Sequence, residues 1–388
     1  MTNITNPIIV NYHNDLCNRW NYTPTDNMNT GYETVMPRLR QLGKTVWLSA
    51  DEIGKQRIED EVFNIYRSTG IIPIHYYNIN GCQEQISALA SKNKKIDNRI
   101  LPVGNNEGLT FGRFWFENMQ DAYTRNNKEV SLRSRFNNDR KLKRAINLCY
   151  KHRDDGTDAV IPKNLRRAFD LVDGGSIQNF KPMNARAVWE YICPTLWGRV
   201  LDFSSGYGGR MMGAMTSNMR YHYTGIDPNT KTYEGLVALG ELMNECGHGG
   251  RYEMHKIPSE EFIPDPGSYN AAFSSPPYFN LETYSTEETQ CMNRCSNVDA
   301  WFEFYVEPTL KMIHTSLSPG SLYAVNIADY KFDKENFEIV ERWKNLSEKC
   351  GFKFEHTVQM MLNVRPGQGN NRKTNPLKFE GIYIFSKK

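Results

Sequence analysis

From about residue 176 onward, apolar and polar positions alternate in blocks that switch between a short buried run and a longer helical period. "RVLDF" (199–203), "YHYTGID" (221–227), "RYEMHKI" (251–257) and "YNAAFSS" (269–275) each predict a short strand, and "SLYAVNIADY" (321–330) predicts a fifth. Between them, "NTKTYEGLVALGELMNEC" predicts a helix, and "DAWFEFYVEPTLKMIHTSL" predicts another that is kinked or interrupted near Pro308. "HTVQMMLNV" (356–364) and "LKFEGIYIFS" (377–386) read as a terminal pair of strands joined by a loop rich in Gly, Asn and Arg. Strand and helix alternating in this way predict an α/β protein with an open, mostly parallel sheet.

The first 175 residues carry a weaker pattern. "SADEIGKQRIEDEVFNIYRS" places Ser49 and Glu52 at capping-box spacing and Ile58, Val62 and Ile65 on one face, which predicts a helix. "GIIPIHYYNI" (70–79) is strand-like, with Pro73 restricting it to an edge or an irregular run. "DRKLKRAINLCYKH" (139–152) puts Leu142, Ile146 and Cys149 on one helical face. The expected division is therefore an N-terminal, mixed but largely helical domain over 1–175 and an α/β domain over 176–388.

Composition narrows the classes. The 388 residues are 39% hydrophobic and 23% charged, ordinary values for a globular chain, and the net charge of +3 permits an anionic partner without requiring one. The eight cysteines include no C-x-x-C pair, and Cys291 and Cys295 have no companion ligand pair, so no metal site is expected and the thiols read as reduced. The N-terminal "MTNITNPIIVNYHND" lacks a basic, then apolar, leader pattern, and no long apolar window reads as a membrane span. A cytoplasmic protein is the expectation.

In an open α/β sheet, ligands gather at the carboxyl ends of the strands. Three ends here carry chemistry. "LDFSSGYGGR" (201–210) sets Asp202 before Gly206 and Gly208, and glycines at such a turn let the backbone approach a ligand closely. Turn geometry alone would also explain them. "GIDPN" (225–229) ends the next strand in Asp227, placed to accept hydrogen bonds from a ribose diol; capping the following helix would serve an aspartate equally well. Together the two ends favour an adenosine-containing cofactor. The third end is "SSPPYF". Pro276 and Pro277 hold the chain in a rigid turn, so Ser275 and the Pro276 carbonyl become fixed acceptors for an amino group, beside Tyr278 as a platform for a flat ring. A plain proline-rich strand terminator is the alternative.

With these motifs in view, residues 176–388 resemble the AdoMet-dependent amino-methyltransferases, above all the DNA N4-cytosine and N6-adenine enzymes. Ser275-Pro276-Pro277-Tyr278 is similar to their [D/N/S]-P-P-[Y/F/W] catalytic motif, and "LDFSSGYGG" to their cofactor motif. "NFKPMNARAVWEYI" (179–192) resembles the segment that folds over the methionine end of the cofactor, and "LKFEGIYIFSKK" their final strand. The resemblance implies a Rossmann-like methyltransferase sheet whose last strand is antiparallel. It implies S-adenosyl-L-methionine as cofactor, held by Phe180, Pro182, Asp202, Phe203, Gly206, Gly208, Asp227 and Pro228. It also implies in-line methyl transfer to an exocyclic amine held by Ser275 and the Pro276 carbonyl. The serine variant favours cytosine N4 over adenine N6; an RNA or protein-amide acceptor is the less favoured outcome. A C5-cytosine enzyme would need a Pro-Cys motif at this strand end, which is missing.

No room for a recognition domain separates the cofactor and catalytic motifs, so nucleic-acid recognition is expected in residues 1–175. Residues 124–153 hold ten Lys and Arg against Glu129 and Asp139 alone. Arg133, Arg135, Arg140, Lys141, Lys143 and Arg144 are the candidate phosphate contacts, although a solvated helix face would look the same. Arg365, Arg372 and Lys373, in the loop joining the last two strands, are further candidates. The expected partner is duplex DNA with its target base swung out of the stack. A DNA-binding protein that keeps the fold without catalysis is the competing class; the presence of Asp202, Gly206, Gly208, Asp227 and the Ser-Pro-Pro-Tyr turn together argues against it.

Overall fold

A computed structural model describes the chain except residues 1–3, 25–31, 105, 126–129, 153–155, 173–175, 249, 333 and 363–377. Its centre is an eight-stranded sheet. The strands are β1 (Ile100–Leu101), β2 (Arg199–Asp202), β3 (His222–Ile226), β4 (Tyr252–His255), β5 (Tyr269–Ser274), β6 (Leu317–Asn326), β7 (Phe352–Met361) and β8 (Phe379–Lys387). Their order is β1-β7-β8-β6-β5-β2-β3-β4. Every neighbouring pair is parallel except those made by β8, which runs antiparallel to both β7 and β6. The fold is α/β and Rossmann-like, with the antiparallel final strand that was expected.

The chain builds β2, β3 and β4 outward in one direction, then returns to lay β5 on the other side of β2. That reversal opens a crevice above the carboxyl ends of β2 and β5, where such sheets bind ligands. The central strands are buried on both faces, so they read as continuous apolar runs rather than alternating ones. Val200, Ala271 and Phe273 face one core, and Leu201, Ala272 and Ile226 face the other.

The helix predicted around Pro308 is indeed interrupted: Val298–Trp301 passes through a π-type turn, Phe302–Val306, into Glu307–Ser316. Pro308 lacks the N–H that a continuous helix would use, and the wider turn absorbs that gap. The sixth strand begins four residues earlier than the pattern suggested and stops at Asn326, while Tyr330–Phe332 forms a separate short strand.

Among the described residues, the N-terminal part consists mainly of helices, including Pro7–Arg19, Glu52–Thr69, Ile79–Ala90, Asp139–His152 and Pro162–Val172. Two expectations are corrected there. The Glu52–Thr69 helix is capped by Asp51, whose side chain accepts from the Gly54 N–H, and not by Ser49, which lies in the preceding helix and donates to the Thr45 carbonyl. Residues 70–79 form no strand before the helix begins at Ile79; Pro73 removes a donor in a stretch that buries Ile71, Ile72 and Ile74 without sheet partners.

Packing is continuous across residue 176. Trp20, Tyr66, Phe114, Trp115 and Tyr150 share one core with Val200, Met212, Leu239, Phe273 and Ile384. Trp115 Nε1 donates to the Gly235 carbonyl at 2.9 Å, and β1 adds a strand to the sheet edge beside β7. No described helix is long and apolar enough to cross a membrane.

Candidate active site

A cavity of about 1040 Å³ lies over the carboxyl ends of β2, β3, β5, β6 and β7 and the amino end of the antiparallel β8. Its walls include Phe180, Gly206, Asp227, Pro228 and all four residues of the Ser275–Tyr278 turn. The three motif-bearing strand ends are thus brought to one chamber. Register fixes their spacing. Leu201 pairs with Ala272 and Asp202 with Gly225, so Asp227 stands level with Ser275, two strands away. Two strand spacings are about 10 Å.

Asp227 is 8% exposed, and its carboxylate accepts from the Gly206 N–H at 2.8 Å and the Asn229 N–H at 3.0 Å. Burial pushes its pKa up to about 7, against the two backbone donors that pull it down. The capping alternative does not apply: Asn229 caps the following helix, Thr230–Glu245, by accepting from the Thr232 N–H. Asp227 is left facing the cavity with capacity for further donors.

Gly206 adopts φ +55° and lines the cavity, whereas Gly208, at φ +71°, does not. A Cβ on Gly208 would come within 2.7 Å of Leu239 and 2.9 Å of Phe116, so this glycine allows close packing beneath the turn. Asp202 also differs from its expected role. It is fully buried below the cavity floor, and its carboxylate is taken up by Arg210 Nε at 2.9 Å, the Tyr223 hydroxyl at 2.8 Å and the Ser274 hydroxyl at 2.8 Å. Phe203 is buried in the core on the far face of the sheet, and Pro182 opens the Pro182–Ile192 helix. None of Pro182, Asp202, Phe203 and Gly208 belongs to the cavity wall.

Residues that the sequence reading missed complete the cofactor side. The Tyr207 hydroxyl, Glu260 Oε2 and Gln290 Nε2 are buried, line the cavity and have no hydrogen-bond partner among the described residues. Glu260 lies just beyond the β4 end, and burial raises its pKa to about 7 even with Arg294 at 3.0 Å from its other oxygen. The available signal was positional: it is an early acidic residue after the third strand of the series.

Around the turn itself, β5 ends at Ser274, one residue before the expected strand end, and the half-buried Ser275 is the first residue of the motif on the cavity wall. Tyr278 meets Tyr330 edge-on, with ring centroids 5.7 Å apart, and Tyr330 in turn stacks on Phe337 at 4.9 Å. The loop beyond the turn is held from the N-terminal part: Glu282–Thr283 pairs with Tyr123–Thr124, and the Arg125 N–H donates to the Leu281 carbonyl at 2.8 Å.

The candidate phosphate contacts divide. Arg135 is 1% exposed and donates to the Phe169 carbonyl at 2.8 Å and the Ser176 hydroxyl at 2.6 Å, so it cannot reach a phosphate; the expectation is corrected, because the arginine ties Leu132–Asn137 to Pro162–Val172. Arg133 lies over Trp20 and is paired with Asp121 and Glu117, and Lys143 pairs with Asp60 at 3.0 Å. Lys141 is half-buried, whereas Arg140 and Arg144 are exposed on the Asp139–His152 helix. Arg365, Arg372 and Lys373 lie outside the described residues.

No family model matches the chain, and no curated protein matches it. Solved structures with a similar course include the [4+2]-cyclase SpnF, at 12% identity and TM-score 0.37, over 53% of this chain and 81% of that one. A methyltransferase from Pyrococcus furiosus matches at 15% identity and TM-score 0.34, over 53% and 82% of the two chains. TrmN from Thermus thermophilus matches at 14% identity and TM-score 0.34, over 53% of this chain and 49% of its own. At such identities and scores these likenesses do not bear on what the chain does.

Proposed function

We propose that the chain is a methyltransferase that uses S-adenosyl-L-methionine to methylate an exocyclic amine of a DNA base, cytosine N4 in first place. The observation that carries this reading is the shared cavity, in which Asp227 and Ser275 stand level on strands two places apart. That spacing accommodates a nucleoside on one side and an acceptor on the other.

The cofactor's fit rests on the unsatisfied groups. Asp227 offers its remaining lone pairs to a ribose diol, and burial raises its pKa even with two backbone N–H groups donating to it. Glu260 Oε2 suits an adenine amine and Gln290 Nε2 a ring nitrogen, while Phe180 lines the cavity with its ring centroid 6.0 Å from the Arg210 guanidinium carbon. When bound, the cofactor supplies an electrophilic methyl group. The chain's own work is to hold the acceptor. An aromatic amine is a weak nucleophile because its lone pair is shared with the ring. Acceptance of its two N–H bonds by Ser275 Oγ and the Pro276 carbonyl favours a pyramidal nitrogen and fixes it in line, and such positioning supplies much of the rate. The prolines keep both acceptors from moving. The nitrogen lone pair held by Ser275 and Pro276 would take the methyl group, with the cofactor leaving as the neutral thioether, and the surplus amine proton would pass to water.

DNA as the substrate is supported by the exposed Arg140 and Arg144 and by the basic stretch starting at Arg125, whose backbone touches the loop after the catalytic turn. Cytosine is supported by serine at the head of the tetrapeptide. Incubation of the protein with labelled S-adenosyl-L-methionine and separate DNA, RNA and protein acceptors tests the class: label on DNA, lost with Ser275→Ala, supports it. Label on RNA or protein alone would redirect it.

A further inference from the structure

Two lysine ammonium groups meet at the cavity wall without an acidic partner. Lys94 lies between the Ile79–Ala90 helix and β1, and Lys181 directly precedes the Pro182–Ile192 helix. Lys181 and Asn184 line the cavity. Lys181 Nζ donates to the Gly104 carbonyl at 3.0 Å, and Lys94 Nζ donates to Asn184 Oδ1. Gly104 makes room for both side chains, since a Cβ there would come within 2.9 Å of Lys94 Nζ and 3.3 Å of Lys181 Cδ. Both lysines are half-buried, and neither makes an ion pair among the described residues. Burial lowers the Lys94 pKa to about 8, with the Lys181 charge lowering it further, and burial lowers that of Lys181 as well. Neighbouring like charges taken out of water are costly unless a counter-charge joins them.

Resting on the function proposed above, we propose that Lys94 and Lys181 form an oxyanion subsite in the cavity wall that takes a phosphate group of the DNA acceptor strand. An ammonium has three N–H donors, so each lysine keeps donors for the two free oxygens of a phosphodiester. The amino-acid end of the cofactor also carries an oxyanion, but an ammonium sits beside that carboxylate and a sulfonium lies further along. Two lysines without an acidic neighbour repel both of those cations, whereas a phosphodiester brings negative charge alone. Placement agrees. β1, which leads into Gly104, is one edge of the sheet, and β4, next to the strand that precedes Asp227, is the other. β5, which carries the Ser275 turn, lies between them in the strand order. The subsite would hold the target nucleotide by its backbone in the chamber where its amine meets Ser275, positioning it without reading sequence. A protein amide would leave the subsite empty, so it favours a nucleic-acid acceptor.

Lys94→Gln and Lys181→Gln remove the charge and keep an N–H donor, while Lys94→Arg combined with Lys181→Arg keeps the charge. The test measures binding of duplex DNA over a salt series and of S-adenosylhomocysteine by isothermal titration, with a melting curve for each variant. The double Gln variant should bind DNA about 10- to 100-fold more weakly. Its plot of log K against log salt should flatten by about 0.9, the share of one phosphate. Its S-adenosylhomocysteine affinity and melting temperature should hold, and the double Arg variant should keep the wild-type salt slope. Should the double Gln variant fail to fold, each single Gln variant should show a smaller loss in the same direction. Weaker S-adenosylhomocysteine binding, alone or in parallel with DNA, overturns the proposal and assigns the pair to the cofactor. Unchanged binding of both ligands overturns it too and leaves the methyltransferase reading standing. Wild-type protein that binds S-adenosylhomocysteine but no DNA overturns the DNA reading and this proposal with it.

Discussion

The Ser274 hydroxyl donates to the Asp202 carboxylate at 2.8 Å, pinning the strand that carries the Ser-Pro-Pro-Tyr turn to the strand that carries the glycine turn. The same carboxylate holds Arg210, which reaches back to the Ser204 carbonyl in the glycine turn. One buried aspartate therefore sets the relative position of both halves of the cavity. Asp202→Ala leaves the Arg210 guanidinium buried and unpaired and should cost about 3–5 kcal/mol of stability. Ser274→Ala removes one hydroxyl donor, shared between the Asp202 carboxylate at 2.8 Å and the Ser204 carbonyl at 3.2 Å, and should cost about 1.5–3 kcal/mol. Denaturant unfolding of the two variants beside the wild type checks the order.

Asp227 makes the opposite prediction. It contributes lone pairs to the cavity, so Asp227→Asn should weaken S-adenosylhomocysteine binding about 10- to 100-fold with little loss of stability. Isothermal titration against the variant, alongside its melting curve, separates binding from folding.

Its titration has a definite sign. The free protein's Asp227 pKa is raised to about 7, above the ordinary value of 3.8, so its contribution to stability is full below pH 3.8 and is lost as pH rises through about 7. Ribose donors favour the ionised form. Ligand binding should therefore release protons near pH 6.5, and affinity should rise with pH up to about 7 and then level. Titration in buffers of different ionisation enthalpy counts the protons, and Asp227→Asn should reduce the number.

Ser275→Ala should leave cofactor affinity unchanged and lower kcat about 10²- to 10³-fold, in line with the removal of one pre-aligned polar group at a reacting centre. Single-turnover methyl transfer, with the cofactor saturating, is the relevant measurement.

The arginines of the basic stretch separate into two kinds. Arg140→Ala combined with Arg144→Ala should weaken DNA binding uniformly across sequences and flatten the salt dependence by about 0.9 for each phosphate no longer neutralised, with the melting temperature held. Arg135→Ala should instead destabilise the protein, because this buried guanidinium bridges two helices.

The sheet was legible because its strands are buried on both faces and carry continuous apolar runs that periodicity detects. The N-terminal part was less so. Its aromatic residues, such as Trp115 and Tyr76, pack against the sheet and against one another rather than on one repeating face. Within the site, sequence led to the strand ends at Gly206, Asp227 and Ser275, since each sits beside a turn that only a few residue types can make. It misassigned Asp202 because an acidic residue at a strand end looks the same whether it faces ligand or a buried arginine eight positions on. Glu260, Glu282 and Glu380 were missed for a related reason: tertiary placement alone makes these glutamates part of the cavity.

The central claim is methyl transfer to an exocyclic base amine, and the most direct measurement is the mass of the product. DNA incubated with the protein and S-adenosyl-L-methionine, digested to nucleosides and resolved by mass spectrometry, should yield N4-methylcytosine that disappears with Ser275→Ala; N6-methyladenine in its place would move the acceptor to adenine. DNA without any methylated base, from a folded protein that binds the cofactor, would contradict the account.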